Sequence, residues 1–212
     1  MASNKVSLPV IHRLPRYYRY VSELEEQGVK KVSSSQLAEI MGSTPSQVRQ
    51  DFNCFGGFGQ QGVGYSVSLL KEELGKLLFT PEKLRAVLIG VGNLGVAITN
   101  FIYYENLGVD LLALFDKDTT LIGKHLRDLE IMDIHTLNDF CESNPIDIVI
   151  VCTPKEAAED LAENIIRTGA KGVWNFSHFD FSLFSDKLIT ENVHIKDSIL
   201  SLSYRLAHPE EE

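Results

Sequence analysis

Apolar residues recur at three- and four-residue steps over His12–Gln27, where Leu14, Tyr17, Tyr18, Val21 and Leu24 share one face. That period predicts an amphipathic helix, closed by Gly28. Residues 1–9 before it are expected to form a mobile arm. Two short helices come next. A serine among Ser33–Ser35 caps the first, which carries Leu37, Ala38, Ile40 and Met41. After Gly42, Thr44 is an N-cap with Pro45 at the first helical position, and opens Pro45–Phe52. This helix buries Val48 and exposes Ser46, Gln47, Arg49 and Gln50. Two short helices joined by a glycine-containing turn make a helix-turn-helix. The next stretch, Phe55–Val67, sets five glycines among Phe55, Phe58, Val63, Tyr65 and Val67. It predicts a hairpin wing. Leu69–Leu78 returns as a helix, and Thr80–Lys83 around Pro81 is a linker.

Beyond the linker the pattern changes to strands alternating with helices. An apolar run, Ala86–Ile89, enters Gly90, Gly92 and Gly95 in G-x-G-x-x-G spacing. An apolar-patterned helix follows, then Leu111–Phe115, which stops at Asp116. This is the order of a first βαβ unit that binds a dinucleotide. Gly90 turns the chain out of the strand, Gly92 admits a pyrophosphate to the backbone, and Gly95 lets helix and strand pack closely. The helix N-terminus then offers free N–H groups to the phosphates. Asp116, 21 residues beyond Gly95, stands where a carboxylate accepts from the adenosine ribose hydroxyls. It also disfavours a 2′-phosphate, so NAD(H) is expected over NADP(H), an exclusion that Lys117 would soften.

Further on, Thr119–Gly123 is a turn into a short strand, Ile134–Glu142 a helix, and Asp147–Val151 a strand. Glu156–Thr168 is a helix closed by Gly169, and Gly172–Phe176 a strand. The alternation predicts an α/β fold with a doubly wound parallel sheet. Ligands sit at the carboxyl ends of such strands. Thr153, Pro154, Asn175 and Ser177 fall there, either as cofactor-lining residues or as turn and cap residues. Ile195–Leu206 carries an apolar stripe broad enough to need a partner surface. The expected division is 1–80 for the helix-turn-helix domain, 84–192 for the dinucleotide domain and 193–208 for a terminal helix.

The net charge of −9 over 212 residues argues against a nucleic-acid partner until it is divided. Residues 1–79 hold 9 Lys/Arg against 7 Asp/Glu, while residues 80–212 hold 11 against 22. Lys5, Arg13, Arg16 and Arg19 all precede the first acid, Glu23. The basic density is at the front and the acidic load lies with the dinucleotide half. No apolar run predicts a membrane span, and the N-terminus does not read as a signal peptide. The three cysteines are far apart and the six histidines lack ligand spacing, so no metal is expected and a reducing cytoplasm fits.

A nicotinamide enzyme needs an acid/base beside its cofactor. His178 is the best candidate, but no cation with a clear substrate role accompanies it, and a solvated or capping histidine is the plainer reading. Cys54 reads as a packing residue. The sequence therefore joins a DNA reader to a dinucleotide binder without evident chemistry, which suggests a sensor. The alternative is a small NAD-dependent oxidoreductase.

With these motifs in hand, the chain resembles the Rex family of bacterial redox-sensing repressors nearly end to end. The resemblance rests on RLPRYYRYVSELEEQG, VSSSQLAE, QVRQDFNCFGGFGQQGVGY, GVGNLGVAI, ALFDKD, GVWNFSH and ENVHIKDSILSLSYRL. It implies a homodimer of winged-helix and Rossmann domains whose C-terminal helix is exchanged between subunits. It implies binding to inverted-repeat operators on double-stranded DNA with NAD+ or no cofactor, and release by NADH. By matching position, Gly90, Gly92, Asn93, Leu94 and Gly95 would hold the pyrophosphate, with Val91 also in the cofactor site. Asp116 and Lys117 would lie at the ribose and Phe101 near the nicotinamide. Arg13, Arg16, Ser46, Gln47, Arg49 and Gln50 would face DNA, as would Gln60 and Gln61 in the wing. Arg19, His194 and Asp197 would couple the domains. This chain departs from the family pattern at Gln50 and at Gln60-Gln61, where cations are usual. It departs again at Ser177-His178, where Ala-Pro is usual, and at His194, where an acid is common. Fewer cations point to altered or weaker DNA binding.

Overall fold

The computed structural model describes residues 6–58, 64–105, 107–183 and 188–209. The chain divides into two compact units, Met1–Pro81 and Glu82–Glu212.

The first unit opens with α1, Leu8–Glu26. The helix starts four residues ahead of His12, and residues 1–5 of the expected arm lie outside the described residues. Ser7 is its N-cap, and the Ser7 carbonyl accepts from Val10 and Ile11 N–H at 3.0 and 3.1 Å. Pro9 lies in the first turn, where no N–H is needed. Pro15 lies inside the helix, which nevertheless continues. Burial of Val10, Leu14, Tyr17 and Val21 on one face offsets the bond Pro15 removes. Next come β1, Lys31–Val32, then α2, Ser34–Met41, and α3, Pro45–Asn53. Ser33 caps α2 in a reciprocal box with Gln36, and Gly42 ends it in the left-handed region. Thr44 caps α3 by accepting from Gln47 N–H at 3.2 Å. The strand β2, Tyr65–Ser66, runs antiparallel to β1, and α4, Val67–Leu78, packs back on α1. Thus the strand after the glycine-rich stretch pairs with a two-residue strand ahead of α2, which hydrophobic pattern alone did not reveal. The centre of the expected hairpin, with Gln60 and Gln61, lies outside the described residues.

The second unit is a seven-stranded sheet in the order β5-β6-β4-β3-β7-β8-β9. Its strands are β3 Leu84–Ile89, β4 Val109–Asp116, β5 His125–Leu126, β6 Leu129–Asp133, β7 Ile148–Val151, β8 Gly172–Asn175 and β9 Ile189–Asn192. All neighbours are parallel except β5, which pairs antiparallel with β6. The helices are α5 Asn93–Tyr104, α6 Leu137–Ser143, α7 Lys155–Arg167 and α8 Ile195–Ala207. Alternation sends Val87, Ile89, Phe115, Val149 and Val151 into one core with Leu137, Ala158 and Ile165. Ala86, Leu88, Leu114 and Ile150 enter the other, against Ile102. Both faces are covered, which is why these strands read as continuous apolar runs. Strand order reverses between β3 and β7, so the crevice for a ligand opens beyond the carboxyl ends of these strands. The edge strand β9 is largely exposed and polar, and its hydropathy carried no strand signal. Every residue of α8 is exposed, including Ile195, Ile199, Leu202 and Leu206.

Candidate functional site

The turn from β3 to α5 is built from its glycines. Gly90 sits at φ +93°, and a Cβ there would come within 2.8 Å of Thr153 Cγ2. A Cβ at Gly95 would overlap the Gly90 carbonyl oxygen and would press on Leu88. A Cβ at Gly92 would meet no atom within 4 Å. Two of the glycines are therefore demanded by the protein itself, whereas the space beside Gly92 is open. The first bond inside α5 runs from Val96 N–H to the Gly92 carbonyl at 2.9 Å. The N–H groups of Asn93, Leu94 and Gly95 precede it and belong to the helix's donor-rich end.

Asp116 closes this turn from the end of β4. Its Oδ2 accepts from Val91 N–H at 2.6 Å and its Oδ1 from Asp118 N–H at 2.9 Å. A carboxylate offers about four lone-pair sites. Two are used here, and two remain for hydroxyl donors. Val91 is buried and gives its N–H to Asp116, so it shapes the loop and does not supply a phosphate donor.

A cavity of about 380 Å³ opens beside these groups. Gly90, Gly92, Asp116, Lys117, Thr153 and Pro154, all expected at the cofactor site, line it. Ile89, Ile134, His135, Cys152, Ala157, Asp160 and Leu161 line it too, and sequence reasoning missed them. The signal was available: His135 follows β6, next to β4 in the sheet, and Ala157, Asp160 and Leu161 share one face of α7 at three- and four-residue steps. The Thr153 hydroxyl is buried with no partner in the described structure, an orphan that a polar ligand would satisfy. Burial pushes the Cys152 thiol up to about 12, which makes it an inert wall residue.

Other expected residues are not brought to the cavity. Asn175 and Ser177 are buried and bonded inward. Asn175 Nδ2 donates to the Phe179 carbonyl at 2.6 Å and to Asn192 Oδ1 at 2.7 Å, while Ser177 donates to Asn175 Oδ1. They knit β8 to β9 and to the following turn. Phe101 is exposed on α5 and does not line the cavity. Leu94 packs against the core below α5. His178 stands at φ +62° with its Nδ1 2.7 Å from His194 Nδ1. This imidazole pair, joining the turn after β8 to the base of α8, was not anticipated. Asp197 lies in the exposed first turn of α8, its N–H bonded to the His194 carbonyl.

In the first unit α3 presents Ser46, Arg49 and Gln50 to solvent. Arg49 Nη1 donates to Ser34 Oγ at 3.1 Å, bracing α3 against α2. Gln47 is only half-exposed, because its amide donates to Asp51 Oδ1 at 2.8 Å. Asp51 is fully buried. Its carboxylate also accepts from Arg13 Nε at 2.6 Å, Arg13 Nη2 at 2.8 Å and Tyr17 hydroxyl at 2.8 Å. Burial alone would raise this carboxyl, but the bonds from Arg13, Tyr17 and Gln47 together outweigh it and hold it below the ordinary range. Burial, followed by the bond to Asp51, pushes the Tyr17 phenol well up. Arg13 is thus held in an internal ion pair and is not a free cation for DNA. Arg16 is exposed and donates to the Met41 carbonyl at 3.2 Å, and Arg19 lies 5.0 Å over the Tyr20 ring.

A helix-turn-helix unit and a Rossmann-type unit on one chain define a two-domain regulator with a nucleotide crevice. Family models divide it in the same way. "Putative DNA-binding protein N-terminus" matches residues 5–53, and "CoA binding domain" matches residues 81–179. The redox-sensing transcriptional repressor Rex of Thermoanaerobacter pseudethanolicus is 48% identical over 97% of this chain and 92% of its own length. That of Clostridioides difficile is 44% identical over 96% and 97%. A crystal structure of RSP in complex with beta-NAD+ and operator DNA superposes with a TM-score of 0.88 at 48% identity, covering 97% of this chain and 94% of that one. Another, of RSP in complex with beta-NADH, gives 0.88 at 44% over 98% and 97%. The chain belongs to the Rex family of redox-sensing transcriptional repressors, and this removes the oxidoreductase alternative.

Proposed function

We propose that the chain binds an inverted-repeat operator as a homodimer through α3 of each copy and lets go when NADH occupies the crevice of the second unit. The observation that carries the cofactor half is the pairing of Asp116, with two acceptor sites open, and the vacant Cβ space at Gly92. Gly90, Gly92 and the first turn of α5 would hold a pyrophosphate. Asp116 would hold the adenosine ribose, and Ile134, Ala157 and Leu161 would flank the adenine. The cofactor, when bound, supplies the redox signal. The solved relatives bound to beta-NAD+ with operator DNA, and to beta-NADH, support the same pairing of ligands. The exposed apolar stripe of α8 supports a second copy as its cover, by exchange of this helix between subunits. No helix among the described residues is long and apolar enough to cross a membrane, and a repressor of this kind would act in the cytoplasm.

A mobility-shift titration of the full chain on an operator duplex tests this. NADH should weaken the complex more than NAD+ does, and equal effects would remove the redox claim. A second reading, a relative with weakened DNA binding, is favoured by the exposed neutral Gln50 and by Arg13 being tied to Asp51. Failure to bind random duplex DNA even at low salt would select it.

A further inference from the structure

Gln47 is held at both ends. As the third residue of α3, its backbone N–H is fixed by Thr44, and its side-chain amide by Asp51 four residues on. An ionised carboxylate only accepts, so the group facing Asp51 is the amide nitrogen. Asp51 itself cannot shift to suit another orientation. Four donors fill its lone pairs, and it is fully buried between α1 and α3. The Gln47 amide therefore has its carbonyl oxygen and one N–H left over, and the bond to Asp51 fixes which end is which. The N-terminal turn of a recognition helix is the part that reaches base edges in the major groove.

We infer that Gln47 reads an adenine, and that Asp51, clamped by Arg13 and Tyr17, is the positioning residue that gives it this selectivity. The inference rests on the reading of α3 as the DNA-facing helix. In the major groove adenine alone offers a donor, the N6 amino group, beside an acceptor, N7. Guanine shows two acceptors there, which a freely turning glutamine would meet with its amino group and which the fixed carbonyl of Gln47 repels. Thymine offers an acceptor and a methyl group, and cytosine a lone donor. Arg13 in this account contributes orientation and not phosphate contact, because its charge is already matched by Asp51.

The test uses the full-length chain without added nucleotide. Duplexes are first selected from a random pool, and single-position variants of the selected site are then titrated. Gln47→Leu should lower the preference for A·T at one position per half-site by about ten- to a hundredfold, with other positions unchanged. Asp51→Asn should relax the same position, and the double variant should relax it no further. Should Asp51→Asn fail to fold, Gln47→Leu carries the test, since it leaves Arg13 and Tyr17 on Asp51. A base profile unaltered by Gln47→Leu, or a uniform loss over all sequences, overturns the inference. Arg49→Ala separates the two levels of failure. If it weakens binding while Gln47→Leu alters no preference, only the adenine reading falls; if neither affects DNA, the assignment of α3 falls as well.

Discussion

Two carboxylates, Asp51 in the first unit and Asp116 in the second, close equivalent local problems and end in opposite states. Each ties a loop or helix to a neighbouring element. Asp51 accepts from four side-chain donors and is fully buried. Asp116 accepts from two backbone N–H groups and stays partly open at the lip of a cavity. The difference lies in how many acceptor sites the protein leaves over, and that decides which carboxylate has sites to offer a ligand. A saturated carboxylate stiffens the helices it joins, and a half-satisfied one keeps acceptor sites open.

The comparison predicts a ranked set of effects. Asp51→Ala should be the most damaging, since it strands the Arg13 guanidinium and the Tyr17 hydroxyl together. We expect a loss of about 4 kcal/mol from the first unit, read by chemical denaturation. Gly95→Ala comes next, at about 2–3 kcal/mol, because the added Cβ meets the Gly90 carbonyl oxygen and backbone must move. Asp116→Ala should cost less in stability, about 1 kcal/mol, yet should weaken NADH binding by at least about tenfold in calorimetry, the cost of lost charged hydrogen bonds. Gly92→Ala sharpens the contrast: thermal stability close to the parent, with a comparable loss of NADH affinity. If Asp51→Ala and Asp116→Ala were equally destabilising, the contrast would fail.

The smallest effect is one of pH. The folded Asp51 value lies below its unfolded one. Its stabilising contribution is therefore complete above the ordinary carboxylate value of about 4 and is lost as pH falls through the lower folded value. Acid titration of the first unit's unfolding should show this loss in the parent and not in Asp51→Asn.

Much of the architecture was legible beforehand. Both units, a serine cap among Ser33–Ser35, the cap at Thr44 and the glycine turn follow from residues within a few positions of one another, and Asp116 from its spacing after that turn. Each obeys short-range rules of dihedral angle, capping and burial period. The crevice was located for the same reason, since strand ends follow from apolar runs. What escaped is of another kind. The strand β9 is polar and exposed, so it left no hydropathy trace. The helix α1 begins at Leu8, four residues ahead of the predicted start, because Val10 extends its buried face.

Sequence alone, then, determined which elements form and where the dinucleotide turn and the helix-turn-helix lie, because those depend on nearest neighbours along the chain. Only the tertiary structure decided which polar groups meet. It took Arg13 from the DNA-facing set and gave it to Asp51, 38 residues away. It turned Asn175 and Ser177 inward and joined His178 to His194. Hydrogen bonds demand donor and acceptor within a few tenths of an ångström and on a favourable line. That placement is set by how helices and strands from distant segments pack, and no period or motif along the chain encodes it.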